Sequence, residues 1–388
     1  MAATERPAAE PTRLQMAMQR RARPAGALQW LARLAGVLAG AIGATPSHAM
    51  NLPENRAEGM LHIFRGGGVT ASGPALLVRK SLADRVSLSA SYYVDSVSNA
   101  SIDVVTTASP FRERRDAYDL GVDYVVRDSL ISVSTSYSKE PDYTARNVSL
   151  DVTQEVFGGM TAINMGYTRA SDNVSRTDDP TFADVAKHWQ YRLGVTQVLS
   201  PTWLMSANVE AISDSGFLGN PYRAARVFGA TVPERHPRTR SSRSFKFRTI
   251  VDLGSRNSVR AEYRYFYDTW DVRAHTGGAG YSAYVGPDWL VDGFVRVNGQ
   301  KQALFYSDNA NAAVTYITRN RQLSDFNGFS LGGKLTHTYR RVPGEYEIKL
   351  NAGYELMRFK YSNFTDVRTG GAYAFTAHVV QVYVSATY

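Results

Sequence analysis

The chain has 388 residues, a formal net charge of +9 and no cysteine. The missing thiols exclude disulfides, thiolate metal ligands, a cysteine nucleophile and covalent haem attachment. The segment 1–49 carries six arginines and two glutamates, which leaves 38 basic and 33 acidic side chains after it, a net +5. That excess is small and its charges are interspersed, so it does not indicate a nucleic-acid partner.

The N-terminus has the organisation of a secretory signal peptide. An arginine-rich region precedes the apolar stretch Leu34–Ala44, and Ser47–Ala49 places small residues at the usual cleavage offsets. The apolar stretch is too short for a membrane-spanning helix, which needs about 20 residues. We therefore predict that residues 1–49 are removed and that the mature chain begins at Met50. Residues 50–58 are then a short periplasmic segment.

The chain after Met50 alternates apolar and polar residues. In LISVSTSY (130–137), Val133 and Tyr137 fall on one face, and Ser132, Ser134 and Ser136 fall on the other. The same period of two recurs in RVSLSASYYV, VRAEYRYFYD and YEIKLNAGYEL. Alternation of this kind indicates β-strands with two different faces. It is typical of transmembrane barrels, in which lipid-facing and lumen-facing residues alternate.

The turns favour a membrane barrel over a soluble β-sandwich, which would mix short and long connections at both ends. The predicted short turns are 81–85, 127–129, 157–160, 200–202, 254–257, 286–288 and 341–344. The predicted long connections are 95–115, 170–186, 213–242, 304–325 and 362–371. We predict one all-β domain over residues 59–388, a transmembrane antiparallel β-barrel of sixteen strands with short periplasmic turns and long extracellular loops. Fourteen strands are the alternative. Tyrosines near strand ends would form interfacial girdles (Tyr92, Tyr137, Tyr167, Tyr263 and Tyr361).

The last stretch, HVVQVYVSATY (His378–Tyr388), is an alternating strand that has neither a charge nor a proline to protect its edge. We predict that it pairs with the first strand and closes the barrel, and that lipid covers the face of Val380, Val382 and Val384. An aromatic residue at the end of such a strand resembles the signal that the outer-membrane assembly machinery recognises.

Charged residues fall on the predicted inner face. The lumen-lining candidates are Arg192, Glu210, Arg248, Arg260, Glu262, Arg264 and Lys349. Positive and negative side chains nearly balance on this face, so neither a strongly anion-selective nor a strongly cation-selective pore is predicted. The pattern is compatible both with an open channel and with a lumen filled by ion pairs.

Two further segments carry candidate chemistry. In ERHPRTRSSR, Arg235, Arg238, Arg240 and Arg243 could bind lipopolysaccharide phosphates or draw in anionic solutes, or could form a solvated turn. In DTWDVRAHT, Asp268, Asp271 and His275 are residue types that bind divalent metals or activate water. Polar residues are also expected where a strand meets a loop. No cofactor is predicted.

Several long blocks resemble domain-of-unknown-function family 3570, among them GFLGNPYRAARVF, HPRTRSSR, EYRYFYDTWDVRAHT, ALFYSDNA and RQLSDF. The resemblance extends from Gly59 to Tyr388. It implies a barrel of the Gram-negative outer membrane without an assigned activity. The expected function is a channel for small solutes or an envelope anchor for a periplasmic partner, in contact with outer-membrane lipid and lipopolysaccharide. The alternative is a barrel enzyme or metal-binding barrel that uses Asp268, Asp271 and His275.

Overall fold

The computed structural model describes residues 50–99, 101 and 111–388. Sixteen strands form a closed antiparallel barrel, and two short strands form a hairpin in one connection. The strands are β1 (Arg56–Gly66), β2 (Val69–Ala83), β3 (Val86–Asn99), β4 (Phe111–Val126), β5 (Ser129–Lys139), β6 (Tyr143–Val156), β7 (Thr161–Ser175), β8 (Ala183–Ser200), β9 (Trp203–Gly216), β10 (Ala224–Val227), β11 (Ala230–Pro233), β12 (Thr239–Gly254), β13 (Asn257–Asp268), β14 (Arg273–Val285), β15 (Trp289–Lys301), β16 (Phe326–Val342), β17 (Tyr346–Thr365) and β18 (Ala372–Thr387). The predicted fold class and strand number are confirmed.

The barrel closes between its first and last strands. β1 pairs antiparallel with β18 in an unbroken register that includes Gly59 opposite Val384 and Leu61 opposite Val382. The other neighbours follow chain order, except that β9 pairs with β12 past the β10–β11 hairpin. The unprotected edge of the C-terminal strand is therefore paired, as predicted.

The outer surface of the barrel is an apolar band. Leu61, Leu120 and Val382 are 64%, 60% and 53% exposed, although each lies in the middle of a strand. Side chains of this type at alternating positions would be in contact with lipid. Among the described residues, no helix is long and apolar enough to span a membrane. The predicted signal peptide, residues 1–49, lies outside the described residues.

The two ends of the barrel differ, as predicted. All seven predicted short turns lie at one end, which we call the turn end, together with Met50 and Tyr388. At the other end, which we call the loop end, the strands continue further than predicted. β7 reaches Ser175 and β8 begins at Ala183, so most of the predicted loop 170–186 is strand. Two of the connections described in full are long, residues 217–238 and 302–325.

One predicted girdle tyrosine has a different environment. β17 continues to Thr365 beyond the apolar band, and alternation turns Tyr361 to the inner face, where it is 7% exposed. It packs with Phe364 and Tyr373 in an aromatic cluster at the loop end. The expectation of an interfacial position for Tyr361 was therefore wrong, because Tyr361 lies on the opposite face of β17 from the exposed Tyr354.

Candidate functional site

The charged residues proposed for the lumen occupy one face of the sheet. Leu193 is exposed on the outer surface, so alternation turns its neighbour Arg192 inward. Residues that lie directly opposite each other on neighbouring strands share a face. Arg192 lies opposite Glu210 and Arg248 lies opposite Glu262, so these residues all face the lumen. Following the same register places Arg260, Arg264 and Lys349 on the inner face as well.

Most charges of the inner face form ion pairs. The pairs, with their N–O distances, are Arg192–Asp151 (2.7 Å), Arg260–Asp292 (2.7 Å), Lys246–Glu262 (3.1 Å), Arg264–Glu210 (3.5 Å), Arg296–Glu355 (3.7 Å) and Lys349–Glu347 (2.5 Å). Each pair joins residues of the same strand, of adjacent strands or of strands two apart. The charges therefore lie along the wall instead of bridging the lumen, and they leave the wall nearly neutral.

Glycines give the arginine side chains room to lie flat against the sheet. A Cβ atom at Gly166 would lie 2.4 Å from Asp151 Oδ1 and 2.6 Å from Arg192 Nε. At Gly280, the added atom would lie 2.6 Å from the guanidinium carbon of Arg260. Either contact is too short for a real side chain, so a larger residue would push an arginine away from its partner and toward the axis.

The opposite side of the lumen holds a cavity of about 820 Å³, and its lining mixes small residues with charged and aromatic ones. Its wall comes from β1 to β6 and β18, and includes Ser91, Ser136 and Ser138. The carboxylate of Asp119 accepts a hydrogen bond from Ser91 at 2.7 Å. Serines and alanines between the larger side chains leave part of the lumen unfilled here.

A cap closes part of the loop end; we use this name for residues 217–238 and 302–325. Its two segments are joined by reciprocal backbone hydrogen bonds of 2.9 Å between Arg235 and Ile317. Backbone bonds also run from Phe228 N to Ala310 O and from Ala310 N to Arg226 O. The side chain of Ile317 is completely buried. The cap is therefore a packed unit of two connections that lie far apart in the sequence.

The cap rests on aromatic residues of the inner wall. Leu323 packs in a cluster with Tyr361 and Tyr373, which face inward from β17 and β18. The Arg321 guanidinium lies 5.3 Å from the ring centre of Phe375 and donates to the Tyr373 hydroxyl at 3.3 Å. These contacts fix the cap against the β17–β18 side of the mouth.

A buried carboxylate joins the two segments of the cap. Glu234 accepts hydrogen bonds from Thr318 Oγ1 and Arg319 N, both at 2.8 Å, and lies 3.2 Å from His236 Nε2. Burial alone would raise the pKa of Glu234, but His236, Thr318 and the Arg319 N–H outweigh it, so the pKa lies below its usual range. The side chain therefore stays ionised and acts as a clasp between the segments.

A second network holds strands β6 to β9 together at the loop end, where the exposed Lys187 marks the end of the lipid-facing part of β8. His188 lies between two carboxylates, with Nε2 3.1 Å from Asp172 and Nδ1 2.7 Å from Asp214. The hydroxyl of Tyr143 also donates to Asp172. The hydrogen bonds to Asp172 and Asp214 raise the pKa of His188 to about 9. Both ring nitrogens are occupied, so this histidine serves as a cationic strand tie and has no nitrogen free to act as a base.

The structure does not bring Asp268, Asp271 and His275 together. Asp268 is buried, accepts from Trp270 N and Val272 N, and pairs with Arg240. Asp271 lies in the β13–β14 turn and pairs with Arg273 at 2.7 Å. His275 is on the outer face, where its Nδ1 lies 2.6 Å from the Tyr263 hydroxyl. The three side chains have separate partners and do not form one ligand set.

The four arginines proposed for anion binding are also separated. Arg235 donates to the Val314 carbonyl at 2.6 Å, and Arg238 makes a two-point ion pair with Asp184 at 2.7 Å. Arg240 and Arg243 lie within β12 and not in a loop. Arg240 pairs with Asp268 on the inner face, whereas Arg243 lies over the Tyr267 ring on the outer face. Anion binding by these residues stays a prediction, and each arginine already has a partner.

Sequence reasoning missed an acidic group at the loop end. Ligand atoms of Glu113, Glu140 and Asp142 all lie within 4.8 Å of one another, and no other group of this kind occurs among the described residues. Burial, followed by the nearby carboxylates, raises the pKa of Glu113. Burial is also the main cause of the raised pKa of Glu140. The turn KEPDY (139–143) was the available signal, since its proline and two acids mark a tight turn that bears charge.

Comparisons with known proteins give a family match and several similar structures. A family model described as "Protein of unknown function (DUF3570)" matches residues 27–360. No curated protein matches the chain. Similar solved structures include a bacterial polysaccharide outer membrane secretin (9% identity, TM-score 0.48, 86% of this chain and 99% of that one) and the CymD monoaromatic hydrocarbon channel (10%, 0.44, 87% and 89%). OmpT of Vibrio cholerae is also similar (8%, 0.45, 87% and 100%). These likenesses concern the fold alone.

Proposed function

Because the chain belongs to the DUF3570 family of proteins of unknown function, we propose its role from its own geometry. We infer that it is an integral protein of the Gram-negative outer membrane and that its lumen passes small polar solutes. The turn end faces the periplasm and the loop end faces outward.

The observation that carries this proposal is the contrast between the two faces of one closed wall. The outer face is apolar through the middle of the strands, as at Leu120 and Val382. Transmembrane barrels present such an apolar band to lipid. The inner face has paired charges, and it encloses a cavity of about 820 Å³ beside serine-rich strands. A space lined in this way favours water and polar solutes.

The paired charges also bear on selectivity. An unpaired ring of one sign would favour counter-ions, as in strongly selective pores. Here Arg192 is neutralised by Asp151, and Arg260 by Asp292. We therefore expect weak ion selectivity, with solutes discriminated by size at the free side of the lumen.

Conductance tests passage. Ser136 lines the cavity, whereas its neighbour Thr135 is exposed on the outer face. In planar bilayers the unmodified barrel should conduct, Ser136→Trp should lower the single-channel conductance at least twofold, and Thr135→Trp should leave it unchanged. A folded barrel that does not conduct would overturn passage and favour an anchoring role. Equal conductance of the two variants would refute the assignment of the cavity as the path.

Location and orientation can be tested separately, because the chain has no cysteine to interfere. Leu304 is 73% exposed at the loop end and Phe157 is 80% exposed at the turn end. A membrane-impermeant maleimide added to intact cells should label Leu304→Cys but not Phe157→Cys, and both should be labelled after the outer membrane is permeabilised. Labelling of Phe157→Cys alone in intact cells would show that the orientation is the reverse of the one proposed. Recovery of the protein outside the outer-membrane fraction would refute the location.

A further inference from the structure

The cap contains a second cavity, of about 610 Å³, that is distinct from the lumen space. Its wall is formed mainly by the chain segment from Leu304 to Ile317, together with Trp270 of the β13–β14 turn and Pro237. None of the residues that line it is charged. Its polar groups are those of uncharged side chains such as Asn311 and Thr315, and backbone groups of the same segment.

Large apolar side chains of this segment are exposed where lipid does not cover them. Leu304, Val314 and Tyr316 are 73%, 41% and 46% exposed. At the adjoining strand ends, Arg273 and Lys301 lie opposite each other and are exposed. Charged residues at these positions mark the end of the lipid-facing band. The apolar side chains of the cap beyond it meet water, where contiguous apolar surface commonly marks a binding site.

The cavity is held in shape before any ligand enters. Leu304 N donates to Trp270 O at 2.8 Å, and Ser307 N donates to Thr318 O at 3.0 Å. The Trp270 indole N–H donates to Thr239 O at 3.0 Å, and the completely buried Ile317 lies among the lining residues. A ligand would therefore cause little loss of conformational freedom in the protein, which favours affinity.

We propose that this cavity binds a small, uncharged aromatic molecule at the outer mouth of the barrel. Its volume is in the range that holds such ligands, about 300–1,000 Å³. Trp270, Phe305 and Tyr316 offer aromatic contact surface. A charged ligand would lose its hydration without gaining a partner of opposite charge among the residues that line the cavity. Arg235, which touches this segment, donates to the Val314 carbonyl. The site needs no open lumen, so it goes beyond the proposed passage and does not rest on it.

Two probes with the same carbon skeleton test the proposal. N-phenylnaphthylamine is uncharged, and anilinonaphthalenesulfonate adds one sulfonate to it. Binding is measured by fluorescence on the full barrel in lipid nanodiscs, after subtraction of empty nanodiscs. We expect one saturable site for the uncharged probe and at least tenfold weaker binding of the sulfonated one. No saturable binding, or equal binding of both probes, would overturn the proposal.

A matched pair of variants locates the site. Ala312→Trp places an indole in the cavity and should weaken binding of the uncharged probe at least tenfold. Ala230→Trp makes the same change at an exposed position of β11 that does not line the cavity, and it should bind as the unmodified protein does. Equal binding by the two variants would place the probe elsewhere and refute the assignment. The comparison of the two probes on unmodified protein remains decisive if Ala312→Trp does not fold.

Discussion

The strand tie at His188 should stabilise the barrel only while the imidazole is protonated. The hydrogen bonds to Asp172 and Asp214 raise its pKa from 6.5 to about 9. Because the pKa is higher in the folded protein than in the unfolded chain, the stabilisation is complete below pH 6.5 and is lost as the pH rises through about 9. Stability should therefore fall across the mildly alkaline range.

The size of this effect follows from linkage. If the whole shift of the His188 pKa acted on stability, the tie would contribute roughly 2.5 kcal/mol to the free energy of unfolding at pH 7 and about 0.4 kcal/mol at pH 9. The side chain is 30% exposed. Solvent screening lowers the contribution of a partly exposed ion pair, so we expect about half of the difference, a loss of about 1 kcal/mol between the two pH values.

Denaturant unfolding in lipid vesicles at pH 7 and pH 9 measures this loss. His188→Gln should be less stable than the unmodified protein at pH 7 and should lose less stability on going to pH 9. His378→Gln is the matched control, because His378 contacts the Tyr354 hydroxyl at 2.7 Å and pairs with no carboxylate in the part of the chain that the structure describes. It should keep the pH dependence of the unmodified protein. If His188→Gln retains the full pH dependence, the tie does not titrate as argued.

Three other predictions concern separate parts of the chain. Val133→Arg, on the lipid-facing side of β5, should cost about 2–4 kcal/mol in a denaturant titration in lipid, and Ser134→Arg should cost less; equal costs would contradict the alternation of faces. Glu234→Ala should speed proteolysis of the cap without unfolding the barrel, because it leaves the Thr318 hydroxyl without its acceptor, and such buried groups cost about 1–3 kcal/mol each. Since the Glu234 pKa is lowered, the same loosening should occur in unmodified protein as pH falls through that pKa, and an unchanged cleavage rate in both cases would refute the clasp. N-terminal sequencing of the mature protein should begin at Met50, and an intact arginine-rich start would exclude the predicted cleavage.

The membrane-facing part of the wall was predictable because its two faces meet different surroundings. Val133 faces lipid and Ser134 faces the lumen, so the polarity of each residue indicates the face on which it lies. Beyond the lipid both faces meet water, and this signal disappears. The stretch Ser171–Asn173 is polar throughout, a pattern that predicts a loop, although the stretch belongs to β7.

The candidate sites were less predictable, because they depend on contacts between distant segments. The face of Arg192 follows from alternation, but its partner Asp151 lies two strands away and depends on the stagger of the barrel. The cap gives no periodic signal in the sequence. Its contact between Glu234 and Thr318 joins two segments that are far apart in the chain, so only the folded structure shows it. Alternation does account for the separation of Asp268 and His275. In the β13–β14 hairpin, even-numbered residues face the lumen and odd-numbered residues face outward.

The unequal length of the strands sets how far the protein projects from the membrane. On β17, the outward positions Arg358 and Lys360 are charged and exposed, so the residues from 358 to Thr365 stand clear of the lipid. With about 3.3 Å per residue and a tilt near 40°, this stretch rises roughly 20 Å above the bilayer. On β5, only two residues follow Tyr137. The rim is therefore a slope. A molecule that approaches through water meets the high side and the cap first, whereas one that diffuses in the adjoining lipid leaflet meets the wall where it is lowest.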